Sequence, residues 1–114
     1  MRDGIYQITY AGVAYSALGV FVMRNGAFAG MGPTGARYHG TIGFVPQRNL
    51  YAMNGTATFK PNTPTVTGFV TGDTDSTFPI TAELSSPDPA TRCSIDFAGR
   101  AVDVAVEYVG PIPG

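Results

Sequence analysis

Alternation dominates the last part of the chain. From Arg92 onward, the apolar Cys93, Ile95 and Phe97 interleave with Arg92, Ser94 and Asp96. After Gly99, Val102, Val104, Val106 and Tyr108 interleave with Ala101, Asp103, Ala105 and Glu107. A pleated strand sends successive side chains to opposite faces, so this period of two predicts two strands, each with a dry face and a wet face. The same period over Ile5 to Tyr10 sets Tyr6, Ile8 and Tyr10 against Gln7 and Thr9. Tyr15 to Met23 is apolar on both sides, with Leu18, Val20 and Val22 on one and Ala17, Phe21 and Met23 on the other. Such a strand in an antiparallel protein needs a second covering surface. It predicts self-association, with Ala17, Phe21 and Met23 as the candidate dimer residues.

Glycine and proline supply the punctuation between these runs. Arg24-Asn25-Gly26-Ala27 is the strongest local signal, because Asn-Gly accepts the positive φ of a type I′ hairpin turn. A short strand, Ala27 to Met31, follows it. Gly32-Pro33-Thr34-Gly35 turns into a fourth strand, Ala36 to Phe44, whose apolar side carries Tyr38, Ile42 and Phe44. Beyond the connection Val45 to Arg48, a fifth strand runs from Leu50 to Phe59, with a bend or bulge expected at Asn54-Gly55. Lys60 to Ser76, rich in Pro, Thr, Gly and Asp, reads as an ordered excursion across one end of the domain, with Val66, Phe69 and Val70 as its anchors. Phe78, Ile80, Ala82 and Leu84 form the inner face of a sixth strand, which Pro87 and Pro89 end.

Eight sequential strands with short connections and no convincing helix describe an all-β protein. Closing the sheet removes both exposed edges, so residues 1–114 are expected to form one eight-stranded antiparallel up-and-down β-barrel. A two-sheet sandwich is the alternative. A barrel of this size is either filled by its own side chains or holds one small ligand.

Composition narrows the function by exclusion. Charged residues make up 13% of the chain, about half the roughly 25% of ordinary domains, and the net charge is −1. Such a weakly charged surface favours association between copies. The basic residues are scattered singly, so no nucleic-acid footprint is expected. Nor is a membrane span, for which no apolar run is long enough. Met1-Arg2-Asp3-Gly4 leads directly into a strand without an apolar export signal, and a cytoplasmic location is expected.

Catalytic and metal chemistry find few candidates. His39 is the one histidine and Cys93 the one cysteine, on unlike faces, so no metal, cofactor or catalytic set is expected. Cys93 reads as a structural thiol on an apolar face. Asp73-Thr74-Asp75 lacks the closing glutamate of a calcium loop. Asp96, Asp103 and Glu107 share the wet parity and are expected to pair with Arg92 and Arg100. The inward set Tyr6, Ile8, Tyr10, Tyr38, Ile42, Ile80, Phe97, Val104 and Tyr108 is the candidate ligand interior, an apolar wall with phenolic tips.

Several of these segments, in this order, resemble the GrlR-like family of small bacterial proteins, named for a negative regulator of type III secretion gene expression. They are Asp3-Gly4-Ile5-Tyr6, Arg24-Asn25-Gly26, Gly30-Met31-Gly32, Tyr38-His39-Gly40 and Val102-Asp103-Val104 leading to Val109-Gly110-Pro111. The resemblance implies a lipocalin-like barrel, dimeric, cytoplasmic and non-enzymatic, that sequesters a transcriptional activator. The family's acidic partner-binding run corresponds here to Phe44, Val45, Pro46, Gln47 and Arg48, none of them acidic. Two functions therefore stand side by side: a regulatory protein-interaction module using that loop, or a carrier of a small apolar ligand inside the barrel.

Overall fold

The computed structural model describes residues 2–12, 16–32, 35–65, 67–68, 70–85, 90–97 and 99–113. Eight strands form in chain order: β1 (Gly4–Ala11), β2 (Ser16–Arg24), β3 (Ala27–Met31), β4 (Arg37–Val45), β5 (Leu50–Phe59), β6 (Ser76–Leu84), β7 (Ala90–Phe97) and β8 (Arg100–Gly110). Each pairs antiparallel with its neighbour in sequence, and β8 returns to β1, closing an up-and-down barrel. The alternation explains the closure. Tyr6, Ile8, Phe21, Ile42, Ile80, Ile95, Phe97, Val102, Val104 and Val106 all point into one buried core, while Gln7, Ser94, Asp96, Asp103 and Glu107 are exposed. Asn25 and Gly26 both carry positive φ, 51° and 81°, in the β2–β3 hairpin, as the Asn-Gly pair requires.

Four expectations are corrected. Phe21 and Met23 are 5% and 1% exposed, so they belong to the core and not to a dimer face; Ala17 is half-buried on the same side. The register explains this: Tyr6 pairs with Phe21 and their rings stack at 5.0 Å inside the barrel. The face of β2 left outside carries Leu18, Val20 and Val22. Phe44, although in phase with Ile42, is 52% exposed at the end of β4, where its ring meets Tyr51 edge-on at 5.3 Å.

No bulge interrupts β5, whose register with β4 and β6 runs unbroken through Asn54-Gly55. Gly55 instead lies opposite Gly40, where a Cβ on either would run into the backbone of the other strand. The register shift of the barrel falls between Ile5 and Tyr6, where β1 meets β8. In the excursion, Val70 is exposed and the buried anchors are Thr63, Thr65, Thr67 and Thr71. Tyr15, Pro33, Thr34, Val66, Phe69, Pro87 and Pro89 lie outside the described residues.

Connections alternate between the two ends of the barrel. One end carries both termini, the Asn25-Gly26 hairpin and the turn after Val45; there Asp3 Oδ1 accepts from the Asn25 N–H at 2.9 Å and the Arg2 guanidinium lies 3.6 Å from the centre of the Tyr108 ring. The other carries the excursion, held as a small hairpin by Asn62 N–H to Gly72 O (2.8 Å) and Thr71 N–H to Thr63 O (2.9 Å).

Candidate functional site

The expected interior is brought together, but it is mostly full. Towards the termini, Tyr6, Phe21, Met23, Ile42, Leu84 and Val106 are buried in one cluster, and Tyr108 meets Tyr6 edge-on at 5.3 Å. Towards the excursion, a cavity of about 70 Å³ remains. Of the expected ligand residues, Ile8, Tyr10, Tyr38, Ile80 and Phe97 line it, whereas Tyr6, Ile42, Val104 and Tyr108 do not. Phe21, Phe28, Met53, Phe59, Ile95 and Thr65 are among its other lining residues. Of these six, all but Thr65 lie on strands. Thr65 comes from the excursion, which has no period to read.

Two of the rings that line the cavity are phenols bonded to each other. The Tyr10 hydroxyl donates to the Tyr38 hydroxyl, with ring centres 6.1 Å apart. Burial pushes the Tyr38 phenol up to about 12, partly opposed by the bond it accepts from Tyr10. Tyr10 is pushed further upward, by burial first and then by the neighbouring Tyr38 and the bond donated to it. Glycines make room for this pair, since a Cβ at Gly19 or Gly32 would collide with the Tyr38 hydroxyl. Both phenols stay neutral at physiological pH. They present apolar ring faces to the cavity and do not act as bases there.

The threonine hairpin covers this end of the barrel. Thr71 Oγ1 donates to Lys60 O at 2.7 Å and accepts from the Thr63 N–H at 2.7 Å. Thr65 and Thr67 hydroxyls bond each other at 3.1 Å. Buried polar groups need such partners, and these threonine hydroxyls find them in one another and in the backbone.

Outside, β2 and β3 present an apolar stripe. Leu18, Val20, Val22 and Met31 are between 40% and 59% exposed, and Val20 lies directly opposite Met31 across the ladder. The candidate partner loop is also outward. Pro46, Gln47 and Arg48 are exposed and Val45 half-buried, in a turn closed by Arg48 N–H to Val45 O at 3.1 Å. Arg48 pairs with Glu83 of β6 at 2.7 Å, so the loop carries a local ion pair in place of an acidic run.

The remaining candidates lie apart. His39 is exposed, its Nε2 3.3 Å from the Thr56 hydroxyl. Cys93 is half-buried, its thiol pushed up to about 11 by burial. Asp73 and Asp75 are exposed, and among the described residues no three His, Cys, Asp or Glu side chains gather as a metal site would require. Asp96 accepts from the Gly99 N–H at 3.0 Å, while Arg92 lies opposite Ala105 and Arg100 opposite Phe97, so the expected direct pairing of acids and arginines does not form across the ladder. No protein-family model matches the chain, and no curated protein matches it.

Proposed function

We propose that this protein is a non-enzymatic protein-interaction module with a regulatory role in a bacterial cytoplasm, acting as a homodimer. The observation that carries the reading is the apolar stripe of Leu18, Val20, Val22 and Met31 on the outside of a barrel whose interior is nearly full. A cavity of about 70 Å³ is less than half of one that accommodates benzene, roughly 150 Å³. That leaves the outer surface as the place of work. The stripe fits a second copy, and the exposed Phe44 to Arg48 turn at the terminus end fits a partner protein. The resemblance to the GrlR-like family supports the regulatory role, the partner there being a transcriptional activator. The contact differs here, because an aromatic pair and the Arg48–Glu83 ion pair stand where that family carries acids.

Binding of candidate activators to the wild-type protein and to a Phe44→Ser, Arg48→Ala variant tests the reading. Loss of a specific complex in the variant, with the dimer kept, supports it. A protein that engages no activator from its own genome under any condition of expression refutes it. The second reading, carriage of a small apolar ligand, is supported by the apolar lining of the cavity, which must widen to admit one. Native mass spectrometry of gently purified protein checks it: a bound mass favours carriage, and a clean apo mass without thermal shift on a lipid and aromatic panel removes it.

A further inference from the structure

Two small residues keep the interior cavity open. Ala36, just ahead of β4, and Ala57 of β5 are 1% and 3% exposed, and both line it. Ala57 lies opposite Tyr38 on one neighbouring strand and Phe78 on the other, so a methyl group stands here between two ring-bearing positions. A cavity in a core costs stability. A guest offsets that cost, and the lining decides which guest. Three hydroxyls belong to lining residues: Tyr10 and Tyr38 bond each other, and Thr65 bonds Thr67 at 3.1 Å. The other walls are hydrocarbon apart from the Met53 thioether, with Ile8, Ile80, Ile95 and Val102 among aromatic rings. A water molecule needs about two to four hydrogen-bond partners in such a space, and apolar cavities that lack them stay dry and take xenon or a hydrocarbon.

We propose that this cavity binds one small apolar molecule without hydrogen-bonding groups, of the class of a dissolved gas or a short hydrocarbon. The inference goes beyond the carriage reading, because such a guest enters without the widening that a lipid or an aromatic ligand requires. Volume sets the upper limit: about 70 Å³ is well below the roughly 150 Å³ that takes benzene. Lining sets the chemistry. A polar guest would give up its bonds to water and gain none from ring faces and aliphatic walls. An apolar guest loses no such bonds and gains dispersion contacts. Tyr10, Phe21, Phe28, Tyr38, Phe59 and Phe97 contribute six rings to the wall, whose polarizable faces favour a polarizable guest. Tyr10 near the end of β1 and Phe59 at the end of β5 are half-buried, so a guest reaches the cavity from the covered end of the barrel.

The test uses the full chain with isotope-labelled methyl groups and xenon as the probe. Raising the xenon pressure should shift the methyl signals of Ile8, Ile80, Ile95 and Val102 along one saturable isotherm. Leu18, Val20 and Val22, on the outer face, should not move with them. Ala57→Leu fills the cavity from its own wall and should weaken xenon binding at least about tenfold, with the amide protection of the β1–β8 ladder kept. Ala36→Val fills it from a second position, outside the strands, should the first variant not fold. The absence of a saturable shift at the interior methyls overturns the proposal, as do equal affinities in wild type and a folded, filled variant. So do shifts confined to the outer stripe, or cross-relaxation between the interior methyls and a long-lived water, which would show a hydrated cavity. A protein that binds decanoate but not xenon keeps carriage and removes this inference alone. Xenon binding beside a clean apo mass, with no thermal shift on larger ligands, keeps this inference and removes carriage of those ligands.

Discussion

At the scale of single residues, neighbouring positions of β8 face opposite solvents. Val104 is buried and Asp103 exposed, one residue apart. Val104→Asp puts an unpaired carboxylate among apolar side chains, and several kcal/mol against a total of about 5–15 should unfold or precipitate the protein. Asp103→Asn should change stability by no more than about 0.5 kcal/mol in urea melts. Equal damage from both would contradict the faces. The phenol pair makes a second prediction, on pH. In the unfolded chain Tyr38 ionises near its ordinary value of about 10, whereas the folded protein keeps it neutral up to about 12. Its contribution is therefore complete below pH 10 and disappears as pH rises towards 12, by about 1.4 kcal/mol per pH unit. Tyr10 acts in the same direction. Stability measured from pH 9 to 12 should fall more gently in Tyr38→Phe than in wild type, and parallel slopes would show that the phenol is not held neutral.

At the scale of elements, the excursion is the piece whose stability depends on side-chain hydrogen bonds more than on apolar packing. Thr71 is central to it, because one hydroxyl serves both the Lys60 carbonyl and the Thr63 N–H. Thr71→Val keeps the volume but strands both groups, at a cost of about 1–3 kcal/mol. The damage should be local. Proteolysis and amide exchange should accelerate over residues 60–75, while the β1–β8 ladder keeps its protection. Loss of protection everywhere would mean that the cover and the barrel unfold as one unit. The β4–β5 pair behaves differently, since Gly40 and Gly55 approach too closely for a Cβ on either. The glycine of Asn54-Gly55 looked like a bulge signal in sequence because close approach and irregular backbone select the same residue.

For the whole molecule, closure hides the strand edges and leaves a weakly charged exterior. Leu18, Val20 and Val22 share that exterior with Met31, a patch that association would cover. Sedimentation at micromolar concentration should give a species twice the 11.9 kDa chain mass. Val20→Lys should shift it to monomer without lowering the monomer's own stability, because the side chain already faces water. A wild-type monomer throughout this range would reject the dimer.

Much of the barrel was legible along the chain, since a period of two in Ile5–Tyr10, Cys93–Phe97 and Val102–Tyr108 directly reports which side chains share a face. That local rule, with the Asn-Gly turn signal at Asn25-Gly26, determined the strands, the hairpin and most of the core. It could not rank the two apolar faces of β2, because Leu18, Val20 and Val22 are as hydrophobic as Phe21 and Met23. Only the pairing of Tyr6 with Phe21 decided which face turned inward. Nor could it foresee the size of the cavity or the threonine cover. Those depend on distances between residues far apart in sequence, set by how eight twisted strands share one enclosed volume.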